Sequence, residues 1–456
     1  MRIIIILALL TAISTPVFSI TLADVWNMPT GEVDYEIMRS YPRGSVKIEE
    51  IYYQSLPYKG KPVRIFGYFG YPKNARNLPA ILLVHGGGGG ASLGRTVAWA
   101  SRGYAVLVID LPGKGDKRWS SRSGGPDMDV SILLRTKPDF SYNYLVNAVA
   151  AARNAITFLT ERKEVDPNRI GMVGLSWGGV ITLLTNGQDK RLKTAVNVFG
   201  AGYIPEGCTW QDRFAVMTAD ELARWNSYID PKNFLKSQHA PILFITGTND
   251  HCYYLPTFQK SYAEITAPKK LILLPNLRHQ FLPYMQSIIW GWLDNKLKRG
   301  GSFPDIETVS VSIKGKDKLL VSASAVANSS VENATLYYTQ GAPSRWTSKK
   351  WTGIRGYQEN GAYFFGLPAL LINPEVMFFI TVRDNKGAVA STPIRSIFKV
   401  SFNGGRRTYA VSAPIKKIYA HETPIGLVGN ELVPEFKYIY FSKKDNLYYL
   451  VGPRKE

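Results

Sequence analysis

The 456-residue chain changes its rhythm of apolar and polar positions twice. From Ser45 to Gly70, "SVKIEEIYYQSLPYKGKPVRIFGYFG", the two kinds alternate, which predicts antiparallel strands joined at "YKGK". Short continuous apolar runs follow: "AILLVH" (Ala80–His85), "YAVLVID" (Tyr104–Asp110), "RIGMVG", "TAVNVF" (Thr194–Phe199), "PILFIT" (Pro241–Thr246) and "LILLP" (Leu271–Pro275). Runs without alternation fit strands buried on both faces. Between them, "SLGRTVAWASRG" closes at Gly103, and "YLVNAVAAARNAITFLTER" and "GGVITLLTN" carry helical spacing. Repeated β-α units predict a doubly wound, mostly parallel α/β sheet with helices on both faces.

The second change comes at "NKLKRGGSFPD" (Asn295–Asp305), a polar stretch with Gly and Pro that reads as a linker. Beyond it lie "ETVSVSI", "KLLVSASA", "NATLYYTQ", "GAYFFGL", "VMFFITVRD" and "IRSIFKV", several separated by turns such as "KGKD" and "DNKG". This predicts a smaller all-β, immunoglobulin-like sandwich over residues 300–400. Residues 401–456 form a β-rich extension with a hairpin turn expected at "KKDN"; the pattern leaves open whether it joins the sandwich or packs on the first domain. At the other end, Arg2, the apolar run Ile3–Ile13 and "PVFS" read as a signal peptide over residues 1–19, cleaved after Ser19. The α/β domain is then expected to occupy residues 20–299, and the mature chain to be exported without stable membrane insertion.

Charge narrows the partners only slightly. Lys and Arg number 55 against 35 Asp and Glu, a formal charge of +20. The excess is spread along the chain, so a basic exported protein is expected, with no dedicated nucleic-acid patch. Such a surface suits acidic glycans. The oligomeric state is not legible. The histidines, His85, His239, His251, His279 and His421, show no metal-ligand spacing, and neither metal nor cofactor is expected.

The chemistry centres on Gly174-Leu175-Ser176-Trp177-Gly178, placed where an apolar strand ends and a helix begins. That context makes Ser176 the candidate nucleophile of an elbow turn, with the Trp177 N–H at a helix N-terminus aimed at an oxyanion. A serine needs a base. In this arrangement the acid and the histidine follow the serine in that order. "TGTNDH" offers Asp250 after a strand, and "LPNLRHQF" offers His279 after the last one. Ser176 is thus expected as nucleophile, His279 as base then acid, and Asp250 as the group that orients His279. "HGGGGGA" (His85–Ala91) is expected to supply the second oxyanion donor, Gly87 first, with Gly86 or Gly88 as alternatives. It lacks the Lys-Ser/Thr of a phosphate loop, and His85 reads as structural.

Residues 200–235 are longer than an ordinary β-α connection and read as a lid. Trp177, Trp210, Trp225 and Tyr253 are candidate pocket-lining groups for sugar or acyl chain, or else packing of the lid core. Cys208 in the lid and Cys252 beside Asp250 are a candidate disulfide, which in a loop-entropy model adds about 3–4 kcal/mol.

With "PAILLVHGGGG", "GYAVLVIDLPGKG", "VDPNRIGMVGLSWGG", "ITGTNDH" and "LPNLRHQF", Ser45 to Arg299 resembles the α/β-hydrolase superfamily, in its dienelactone-hydrolase and acetylxylan-esterase-like branch. The resemblance implies a Ser-His-Asp hydrolase acting on esters. Dienelactone hydrolases proper use cysteine where this chain has Ser176, which favours ordinary carboxyl esters such as acetyl groups on carbohydrate. Two other classes are weighed. One is a prolyl-oligopeptidase-like peptidase, disfavoured because only residues 20–44 precede the first predicted strands, too few for a propeller. The other is a non-catalytic glycan-binding protein, disfavoured by the intact Ser176, Asp250 and His279.

Overall fold

The computed structural model describes residues 21–451 apart from 29–30, 115–121, 301–302, 315–317, 342–345, 369–370, 372–374, 404–405, 412–436 and 443–446. The expected signal peptide and the "KKDN" turn lie outside the described residues.

The α/β part contains strands β1 (Tyr35–Arg43), β2 (Val46–Tyr58), β3 (Lys61–Pro72), β4 (Leu78–Val84), β5 (Ala105–Ile109), β6 (Val165–Leu175), β7 (Leu192–Val198), β8 (Ile242–Gly247) and β9 (Lys269–Leu274). Its helices are α1 (Leu22–Trp26), α2 (Leu93–Ala100), α3 (Val130–Leu133), α4 (Tyr144–Glu161), α5 (Trp177–Asn186), α6 (Gln211–Ala215), α7 (Ala219–Arg224), α8 (Leu255–Glu264) and α9 (Pro283–Lys298). Among the described residues these strands make one nine-stranded sheet in the order β1-β2-β3-β5-β4-β6-β7-β8-β9. Strands β4 to β9 run parallel, and β1 to β3 form the antiparallel ribbon expected from "YKGK", with Tyr58 opposite Lys61. Successive side chains of a strand point to opposite faces. Leu82, Leu107 and Met172 therefore pack with α4 and α5, while Ile81, Val106 and Val196 pack with Trp99 of α2 and Trp292 of α9. Burial on both faces is why these strands read as unbroken apolar runs.

Strand β1 was not foreseen. It is an edge strand exposed along nearly its whole length, with Tyr35, Ile37 and Met38 each more than 40% exposed, so no alternation betrays it. With it, the glycine-rich loop follows the fourth strand of the chain, β4.

The C-terminal part is a two-sheet sandwich. One sheet orders β10 (Asp305–Lys314), β11 (Lys318–Val326), β15 (Ala362–Pro368) and β14 (Tyr357–Glu359) side by side. The other runs β13 (Thr352–Arg355), β12 (Val331–Gln340), β16 (Glu375–Asp384), β18 (Arg395–Asn403), β19 (Arg406–Val411), β20 (Lys437–Ser442), β21 (Leu447–Val451), with β17 (Val389–Ser391) on β16. The extension thus joins the sandwich, and β20 and β21 pair antiparallel from Ser442 opposite Leu447. Alternation along β16 explains its apolar run. Phe378 and Ile380 face the sandwich core, whereas Met377 and Phe379 enter the same apolar cluster as the α/β domain.

Candidate active site

Three parallel strands end at one edge of the sheet and deliver the site. After β6 the backbone turns so sharply that Ser176 takes φ +58° and ψ −119°, a positive φ rare outside glycine. Its N–H donates to the Val198 carbonyl at 2.8 Å, which pins the turn to β7. The flanking glycines are required by close approach. A Cβ on Gly174 would strike the Gly178 carbonyl, and one on Gly178 would strike the Val84 carbonyl. A Cβ on Gly86 would lie 2.7 Å from the Leu175 carbonyl oxygen and 2.8 Å from Ser176 Cβ. The glycine loop therefore sits directly on the elbow.

The structure brings Ser176, His279 and Asp250 together. His279 Nε2 lies 2.9 Å from Ser176 Oγ, and its Nδ1 lies 3.0 Å from each carboxylate oxygen of Asp250. Asp250 is fully buried. Its Oδ1 accepts from the N–H groups of Cys252 at 2.7 Å and Tyr253 at 3.1 Å, and Oδ2 from the Thr246 hydroxyl at 3.3 Å. A carboxylate fixed by that many donors holds the imidazole in one orientation. The Phe199 ring packs tilted against His279, with centroids 4.7 Å apart, a support the sequence did not suggest. His279 keeps 15% of its side chain exposed, enough for a substrate to reach it.

On the other side of Ser176, Gly87 and Trp177 adjoin one another, with 3.5 Å between a Cβ built on Gly87 and Trp177 Cδ1. Among the described residues neither N–H has a backbone acceptor, so both are available to an anion at the serine. Two side chains hold this loop: His85, in the structural role expected of it, and Asp110, which the sequence did not suggest. His85 is buried, with Nδ1 2.7 Å from the Gly86 carbonyl, and its Nε2 accepts the Leu111 N–H at 2.9 Å. This is a structural role, and burial lowers its pKa below the ordinary value. Asp110 accepts the N–H of Ala91 at 2.5 Å and that of Arg122 at 2.9 Å.

The lid divides the candidate lining residues. Trp177, Trp210 and Tyr253 form one ring cluster, with centroids 4.9 to 5.7 Å apart, and Tyr253 lies 6.1 Å from the His279 ring. Trp210 alone of the three keeps a partly exposed face; Tyr253 and Trp177 are buried beneath it. Trp225 does not line the pocket. It is fully buried and packs edge-on against Phe214 at 5.2 Å, as core of the lid. Asp230, also fully buried, ties the lid together by accepting the N–H groups of Tyr203, Ile204 and Lys232. Burial raises its pKa.

The disulfide considered for Cys208 and Cys252 is not formed: both are free thiols. The lid and acid loop do meet, but through backbone. Thr209 N–H donates to Cys252 O at 3.0 Å, and Tyr254 N–H to Gly207 O at 3.1 Å. That register sets Cys208 opposite Tyr253 and leaves Cys252 one residue out of step. Its sulfur joins a carboxylate oxygen of Asp250 and a ring nitrogen of His279, all within 4.8 Å of one another. Burial pushes the Cys252 thiol up to about 12. A metal would need the thiolate, and the carboxylate and imidazole already bond to each other, so this trio fits a hydrogen-bonded line better than an ion site.

The chain is similar in part to known proteins. The acetyl xylan esterase (AXE1) family profile matches residues 21–205, and that of the PhoPQ-activated pathogenicity-related protein matches residues 146–341, which include Ser176, Asp250 and His279. The acetyl esterase Axe7A of Xylanibacter ruminicola is 25% identical over 248 residues, 51% of this chain and 56% of that protein. The chain thus spans little more than half the length of this relative. Among solved structures, acetyl xylan esterase 1 from Thermoanaerobacterium sp. JW/SL YS485 aligns with TM-score 0.51 at 18% identity. The acetyl xylan esterase from Paenibacillus sp. R4 aligns with TM-score 0.50 at 24% identity. Each alignment covers 60% of this chain and 92% of the other, and carries the fold. The chain has an α/β-hydrolase-like fold, and in sequence it is similar over part of its length to acetyl xylan esterases.

Proposed function

We propose that the chain is an exported serine carboxylesterase that removes acetyl groups from carbohydrate through an acyl-enzyme. The observation that carries this is the unbroken line from Ser176 Oγ through His279 to Asp250, on an elbow beside the free N–H groups of Gly87 and Trp177. Ser176 attacks the ester carbonyl while His279 Nε2 takes its proton, and Asp250 stabilises the imidazolium. The oxyanion lies against the Gly87 and Trp177 N–H groups. His279 then protonates the leaving sugar hydroxyl, leaving an acetyl-Ser176 ester. A water that gives its proton to His279 attacks this ester, acetate departs, and Ser176 recovers the proton.

The acetyl and carbohydrate parts of the reading are supported by the acetyl xylan esterase profile and by the half-open Trp210 ring, which packs on the ring of Trp177, the residue after the serine. Export is supported by the Arg2 and Ile3–Ile13 pattern, and N-terminal sequencing of secreted protein checks it. The activity is tested with an acetyl ester, acetylated xylan and a peptide amide, each given to wild type and Ser176→Ala. Ester hydrolysis that falls at least about 10⁴-fold in the variant is expected. Equal rates would remove the triad, and amide cleavage without ester preference would move the chain to the peptidases.

A further inference from the structure

The sandwich touches the α/β domain where the acid and the base are held. Asn249, the neighbour of Asp250, is buried, and its Nδ2 donates to the carbonyls of Lys349 at 2.6 Å and Thr347 at 3.2 Å, both on the sandwich. Its Oδ1 accepts from the Thr248 hydroxyl at 2.8 Å. The Thr248 oxygen in turn accepts the N–H of Asn276 at 2.7 Å, and Asn276 opens the turn that carries His279. At the rim of the interface the Asn276 side chain pairs with the Trp351 backbone in both directions, Nδ2 to O and N–H to Oδ1, each 2.8 Å. Asn249 N–H also donates to Leu277 O at 2.9 Å. The two turns are therefore bonded to each other and to one sandwich segment, residues 346–351. That segment is itself anchored by the buried rings of Trp346 and Trp351, the latter edge-on to Phe379 at 5.1 Å.

We infer that Asn249 is a positioning residue, through which the sandwich holds Asp250 in register with His279. The inference rests on the triad proposed above. The physical reason is leverage at a short range. Asp250 hangs from a turn whose own backbone N–H groups donate to the carbonyls of Gly247, Leu274 and Leu277, and the side chain next to it is fixed to a second domain. A small displacement of a catalytic group costs far more rate than stability. The sandwich is then part of the acid–base apparatus, not an appended module.

The test uses the full chain with Asn249→Asp. This change is isosteric but turns a carboxylate oxygen toward the two sandwich carbonyls. The expected result is a kcat lower by about 10- to 100-fold with KM near wild type. The far-downfield proton NMR resonance of the His279 Nδ1–H, which reports its bond to Asp250, should shift or broaden. Asn276→Asp, at the exposed rim, should show the same changes more weakly, and serves if Asn249→Asp does not fold. A folded variant with wild-type kcat, or a slowed one whose resonance is unmoved, overturns the inference. Ser176→Ala separates the two readings: a dead Ser176→Ala beside a fully active Asn249→Asp rejects only the positioning role, whereas an active Ser176→Ala rejects the triad.

Discussion

At the scale of single residues, the site is made by side chains whose alternatives are closed. Ser176 cannot relax from its positive φ while Gly174, Gly178 and Gly86 press around it and its N–H is held by Val198. His85 keeps the glycine-rich loop in place only while its Nε2 is unprotonated, because that atom accepts the Leu111 N–H. Burial, partly offset by the Gly86 carbonyl, lowers its folded pKa below the ordinary 6.5. The unfolded chain therefore takes up the proton first as pH falls. Stability from this group is full above pH 6.5 and is lost as pH drops toward the folded value, at a slope of at most about 1.4 kcal/mol per pH unit. Urea denaturation of wild type and His85→Asn between neutral and mildly acid pH checks this: the wild type should lose stability more steeply, and parallel slopes would clear His85. Ser176, Asp250 and His279 were legible because each follows an apolar strand in the order the chemistry needs. Asp110, Asp230 and Asn249 were not, because their partners lie far away in sequence and a lone polar residue carries no pattern.

At the scale of elements, burial on both faces made β4 to β9 easy to read, and burial on neither face hid β1. The lid was legible as a segment by its length, but its inside and outside were not. Four aromatic side chains were candidates for the pocket, and Trp225 proves to be lid core with its indole N–H buried and unpaired. Trp225→Ala should cost about 3–5 kcal/mol in unfolding free energy, the range for emptying a buried large ring. A matched loss on Trp210→Ala is not expected, since Trp210 is partly exposed and its removal should act on KM for the sugar ester. Thermal denaturation and steady-state kinetics on the two variants check this, and a stable Trp225→Ala with raised KM would return that ring to the pocket. The candidate disulfide is absent although its two loops meet: the bridge pairs Cys208 with Tyr253, one residue past Cys252, and both thiols are free.

At the scale of the whole molecule, the sandwich is built into the α/β domain. Strand β16 serves two cores with alternate residues, Leu273 N–H donates to Ser391 Oγ at 3.1 Å, and Ile394 N–H to Gln259 Oε1 at 2.6 Å. The sequence announced two architectures through its change of rhythm at Asn295–Asp305. It could not announce their docking, since Met377, Phe379 and Trp351 read as ordinary strand residues until a second surface covers them. All of these layers converge on one claim, that Ser176 is the nucleophile. The direct measurement is peptide mass spectrometry after treatment with a fluorophosphonate. One adduct on the Ser176 peptide of the wild type, abolished in Ser176→Ala and slowed in His279→Ala, is expected. Labelling at another residue, or equal labelling of wild type and Ser176→Ala, would contradict it.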